Sequence, residues 1–232
     1  MKRLVATLAL SLTSMTPALA ETIEQHSGWA GWFNSVRLNE HWGLFTDAQV
    51  RSGDDLEEVQ NVLLRPGVTY FHDEQNNFTL GYAWVATLNN PGDNLVEHRI
   101  WQQYVHTQSW QRAALTHRFR FEQRFVEPAS GGDRLFSQRA RYMFRSVIPL
   151  KTHDPSFKSG PFLALQNEIF LNVQHKENVN GKLFDQNRAF LGAGYRLSPE
   201  YDLEVAYINQ YVDGRARNTM NHIVQLGLYS RF

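Results

Sequence analysis

A period of two, sustained over long segments, is the strongest constraint on what this chain can fold into. Between Ala113 and Phe125, Leu115, Phe119, Phe121 and Phe125 share one parity; Thr116, Arg118, Arg120, Glu122 and Arg124 share the other. Between Arg134 and Ile148, Phe136, Ala140, Tyr142, Phe144 and Ile148 alternate with Ser137, Arg139, Arg141 and Arg145. A helix cannot sort these residues onto two faces, because its side chains recur every 3.6 residues; an extended strand does so automatically.

The same alternation recurs through the chain. Trp42, Leu44, Ala48 and Val50 oppose Gly43, Asp47, Gln49 and Arg51. Val62, Leu64, Val68 and Tyr70 oppose Asn61, Arg65 and Thr69, and Phe78, Leu80, Tyr82, Trp84 and Ala86 oppose Thr79, Gly81 and Thr87. Comparable segments lie at 26–37, 95–107, 160–173, 184–197, 201–212 and 220–232, which makes eleven. The connections alternate between short turns (Leu38–Glu40, Asp73–Asn77, Ser198–Glu200) and longer polar loops rich in Gly, Asp and Asn. That rhythm matches an outer-membrane barrel, with tight periplasmic turns and longer external loops. The stretch from Pro149 to Gly160 breaks it, being long where a short turn is due. Closed bacterial barrels use even strand numbers. The expectation is therefore about twelve strands, with an extra one around Glu21 to Gly28, or ten if the first segment is not part of the wall.

A two-layer sandwich also alternates. Segments this long exceed ordinary sandwich strands and suit tilted strands crossing a bilayer. Mean hydropathy is −0.45 although 13% of residues are aromatic. A polar average with many aromatics fits a wall whose inner face is wet and whose outer face meets lipid. Tyr70, Phe78, Tyr104, Trp110, Phe125, Phe136, Tyr195, Tyr201 and Tyr211 fall near segment ends, as two aromatic girdles require. The prediction is an all-β, up-and-down transmembrane barrel in one domain, 21–232.

The N-terminus predicts export. Lys2 and Arg3 precede the apolar run Leu4–Leu12, Pro17 breaks it, and Ala18-Leu19-Ala20 offers a small-x-small cleavage site ahead of Glu21. Without residues 1–20 the chain carries 21 basic and 23 acidic residues, too balanced for a nucleic-acid partner. With no cysteine, thiolate chemistry and cysteine zinc sites are excluded. At the other end Val224, Leu226, Leu228 and Phe232 share a face. They resemble the C-terminal signal that outer-membrane proteins present to the barrel-assembly machinery, with Ser230 standing where an aromatic is usual.

Several short motifs, taken together, resemble an uncharacterised family of exported bacterial proteins, domain of unknown function 2490. They are Trp32, Asp47–Arg51, Leu64–Val68, Glu97-His98-Arg99 with Gln102-Gln103, Arg118–Arg124, Arg139–Tyr142, Asn167–Phe170 and Asp185–Arg188. The resemblance implies an outer-membrane barrel and no assigned activity.

Parity assigns the charges. A charge facing lipid at mid-membrane costs about 2–4 kcal/mol. Arg65, Glu97, Arg99, Arg118, Arg120, Glu122, Arg124, Arg139, Arg141, Arg145, Glu168 and Arg188 are therefore expected to line the lumen, with Asp47 and Arg51 on the same face. Two readings follow. Arginines and carboxylates can pair and fill a narrow barrel, giving a structural or passive-permeability role. Alternatively, two arginine ladders can line an anion-selective channel for small acidic solutes or oligosaccharides. A lipid hydrolase needs a serine and histidine in hydrogen-bond reach on one face, and His26-Ser27 and His106 with Ser109 have opposite parity. No cofactor motif and no HExxH is present. His98, His117 and His222 fall on the apolar face and are expected near lipid headgroups.

Overall fold

The computed structural model describes residues 21–89, 92, 94–128, 131–150 and 157–232. The signal-peptide expectation, with its site at Ala18-Leu19-Ala20, lies outside them. Among the described residues eleven strands close a single barrel. The first six are β1 (Thr22–Arg37), β2 (Trp42–Ser52), β3 (Val59–Phe71), β4 (Asn76–Thr87), β5 (Leu95–Trp110) and β6 (Ala113–Glu127). The rest are β7 (Leu135–Pro149), β8 (Gly160–Gln174), β9 (Phe184–Ser198), β10 (Tyr201–Val212) and β11 (Asn218–Arg231). Each of the eleven alternating segments is a wall strand, displaced by a few residues at most.

The expected strand number, twelve or ten, is corrected to eleven. Residues 22–28 form no strand of their own; they extend β1. An up-and-down meander with an odd count leaves its first and last strands pointing the same way, so the closing pair must be parallel. β1 and β11 pair so, from Thr22 with Asn218 to Ser35 with Arg231, while every other neighbour is antiparallel. Side-chain bonds reinforce this seam. The Trp32 indole donates to Ser230 Oγ at 2.9 Å, and Ser230 Oγ donates to Asn34 Oδ1 at 2.7 Å. These bonds account for a serine where the C-terminal pattern has an aromatic: a hydroxyl joins two β1 side chains there.

Outside, the wall is apolar. Leu80, Leu191, Val224, Leu226 and Phe119 are each half exposed or more. Polar groups on this face are paired across strands. Gln102 and Gln123 exchange two bonds at 3.1 and 3.2 Å, and Asn167 and Asn187 exchange two at 3.0 and 3.2 Å.

The lumen is not uniformly polar, contrary to the alternation rule. Trp29, Trp101, Phe162, Phe170 and Phe190 are buried inside it. Two of these rings lie across glycines on the neighbouring strand: a Cβ at Gly81 would stand 2.2 Å from Trp101 Cζ2, and one at Gly194 2.2 Å from Phe162 Cζ. The irregular Pro149–Gly160 connection also acquires a reason. Phe157 from this connection is buried against Phe162, in a cluster with Trp29, Phe190, Ile208 and Ile223. Arg196 donates to its carbonyl at 2.8 Å and covers its ring. A tight turn could not bring an aromatic into the barrel mouth; a long one does.

Candidate functional site

The twelve charged residues singled out by parity lie on inward faces of β3, β5, β6, β7, β8 and β9, and the register brings them together. Glu122, 1% exposed, is the central node. It accepts from Arg139 Nη2 at 2.7 Å and from Arg141 Nη1 at 2.6 Å. Arg139 reaches onward to Asp185 at 2.9 Å, and Arg141 to Glu168 at 2.8 Å, which also accepts from Arg118 at 2.8 Å. Six residues therefore form an unbroken chain of ion pairs, Asp185–Arg139–Glu122–Arg141–Glu168–Arg118, across four strands. Nearer the long loops, Glu97 accepts from Arg99 at 2.7 Å and from Arg124 at 2.5 Å. Arg65 donates to Asp47 at 2.5 Å, and Arg145 to Glu204 at 2.6 Å. Pairing and hydrogen bonding of this kind offset the cost of taking these charges out of water.

Asp185 and Glu204 were not among the parity candidates. The signal of Glu204 was weak because the inner face of β10 also carries Ala206 and Ile208, which blurs the alternation; Asp185 stands at the loop end of β9, one residue into the strand.

Three lumen arginines have a different environment. Among the described residues, Arg51, Arg120 and Arg188 have no carboxylate within 4.0 Å. Each donates to a glutamine: Arg51 to Gln49 at 2.7 Å, Arg120 to Gln103 at 2.6 Å, Arg188 to Gln186 at 3.0 Å. Each also stacks on an aromatic ring, Arg51 over Trp29 at 3.7 Å, Arg120 over Trp101 at 4.4 Å and Arg188 over Phe170 at 4.7 Å. Three of the buried rings, Trp29, Trp101 and Phe170, thus carry the arginines that lack a carboxylate. Two small cavities flank the network, of about 150 Å³ at the centre and about 180 Å³ toward the long loops.

The outward histidines each meet a tyrosine. His98 Nδ1 lies 2.5 Å from the Tyr82 hydroxyl, His117 Nδ1 2.8 Å from Tyr142, and His222 Nδ1 2.6 Å from Tyr207. Ser27 turns inward to Asn221 at 2.7 Å while His26 stacks on His222, so these sequence neighbours are on opposite sides of the wall. One grouping escaped the sequence because 28 residues separate its parts: His26, Asp54 and Asp55 hold potential ligand atoms within 4.8 Å of one another. All three are exposed, and Asp54 already accepts the His26 backbone N–H at 2.7 Å, which ties the loop to β1.

Residues 26–221 match the model of a family described as a protein of unknown function, DUF2490. An uncharacterised protein of Methylorubrum extorquens is 26% identical over 237 residues, covering 99% of this chain and 97% of its own. Among solved structures, the NanC porin shares the fold with a TM-score of 0.50 at 12% identity, over 84% of this chain and 93% of that one.

Proposed function

We propose that this chain, which belongs to the DUF2490 family, is an outer-membrane barrel whose lumen is closed at mid-height by paired charges. Its role is structural or passive rather than catalytic. The observation that carries this reading is the six-residue ion-pair chain through Glu122, buried and satisfied at its centre. An open aqueous pore would hydrate these groups instead of locking each to a neighbour.

Residence in the outer membrane is supported by the apolar outer wall, since soluble proteins seldom expose such a continuous surface. Cross-strand pairing of Gln102 with Gln123 and of Asn167 with Asn187 supports it too, because polar groups facing lipid must be satisfied internally. The porin likeness is consistent with both. On this reading the partners are outer-membrane lipid and, through β11 and Phe232, the assembly machinery.

A second reading rests on one specific observation, the arginines without carboxylates. They favour an anion-selective conduit for small acidic solutes or oligosaccharides, opened when the central pairs separate. Planar-bilayer recording of the purified barrel decides between the two. The closed-lumen reading expects negligible current. Sustained, anion-preferring conductance that Arg120→Glu with Arg141→Glu weakens or reverses would overturn it.

A further inference from the structure

From the charge balance around the central cavity, we infer that it is a binding site for a small, multiply charged oxyanion of the phosphate or carboxylate class. Seven arginines and two carboxylates, Asp47 and Glu168, line this space of about 150 Å³. Among the charged groups of the central network described above, ten arginines face six carboxylates, an excess of four positive charges. The excess is concentrated at the cavity, where Arg51, Arg120 and Arg188 meet only glutamine oxygens and aromatic faces.

Two further groups point to an acceptor there. Arg65 Nε and Arg118 Nε are buried without a hydrogen-bond partner, and both residues line the same space. A buried guanidinium N–H left unmatched is costly, more so beside like charges in a low-dielectric interior. A compact oxyanion removes both penalties. It accepts from several planar guanidinium edges at once, the geometry arginine is suited to. Its charge also offsets the local excess. Arg51 and Arg188 stack on the same Trp29 ring, which holds two of the donors on one side of the cavity. Arg51, Arg65, Arg141 and Arg188 also line the 180 Å³ cavity toward the long loops, so entry from that end follows a continuous arginine wall.

The site stands on the closed barrel geometry and not on whether the barrel conducts. Isothermal calorimetry on the purified, detergent-folded protein tests it, with inorganic phosphate and citrate titrated at ionic strength fixed by sodium chloride. Saturable binding of either anion is expected, together with a rise in unfolding temperature that an equal ionic strength of chloride does not give. Phosphate and citrate distinguish the two ligand classes. Arg51→Gln with Arg188→Gln should weaken binding at least tenfold while the barrel stays heat-modifiable on gels. Should that double variant fail to fold, Arg120→Gln alone should weaken it several-fold. Chloride matching phosphate, or unchanged affinity in a folded variant, would overturn the inference. A conducting barrel that binds phosphate overturns only the closed lumen; a silent barrel that binds neither anion overturns only this site.

Discussion

Replacing Glu122 by glutamine isolates what the central ion pairs contribute. The substitution keeps side-chain volume and removes one buried charge that Arg139 and Arg141 hold at 2.7 and 2.6 Å. Removing one partner from a buried pair costs about 3–5 kcal/mol, because the remaining charge is left uncompensated. Here each arginine keeps another carboxylate, Asp185 for Arg139 and Glu168 for Arg141. The lower end, about 3 kcal/mol, is therefore expected. For a domain of this size that corresponds to a fall in unfolding temperature of roughly 6–12 °C. Arg120→Gln is the matched control: it removes a charge with no carboxylate partner, so its cost should stay within about 1 kcal/mol. The assay is the temperature at which the compact, SDS-resistant species is lost on unboiled gels, corroborated by denaturant titration in vesicles. Equal stability of wild type and Glu122→Gln would refute the reasoning, since it would mean water already screens the lumen. Greater damage from Arg120→Gln than from Glu122→Gln would refute it equally.

Three further outcomes are expected. N-terminal sequencing of membrane-extracted protein should begin at Glu21; retention of residues 1–20 would remove the export signal. Gly81→Ala should destabilise by about 1–3 kcal/mol, because its Cβ would meet the Trp101 ring and the Pro66 carbonyl, and a variant melting with wild type would show that the ring moves aside. Cysteines at Ala30 and Leu226, register partners across the seam on the outer face, should form a disulfide in a chain that has no other cysteine. Its absence in folded, oxidised protein would argue against parallel closure.

The strands were legible because inward-facing charges alternate with a mostly apolar outer face; Arg118, Arg120 and Arg124 interleaved with Phe119, Phe121 and Phe125 leave no other assignment. Strand number was not legible from the general preference for even barrels. Nothing in the local pattern of residues 21–28 distinguishes an extra strand from a longer first one, and only pairing with Asn218–Ile223 settles their place. The lumen was half legible. Parity placed the arginines inside, but it could not say which of them would meet a carboxylate. Glu204 lies on β10 beside Ala206 and Ile208, and Trp29, Trp101 and Phe170 occupy inward positions where the rule expects polar groups. Those rings are inside because surplus guanidiniums need a flat, electron-rich surface, a requirement of three dimensions that no single strand displays.

An odd wall gives the molecule a sidedness that an even one lacks. In an even barrel both chain ends emerge on the same face, so anything attached to either shares one compartment. Here β1 starts among the long loops and β11 finishes among the short turns, about a bilayer's thickness away. On the proposed outer-membrane reading, a peptide tag joined ahead of Thr22 and another joined behind Arg231 are therefore expected to be reached from opposite sides of the membrane. On that reading the two ends of the barrel wall report its orientation in intact cells.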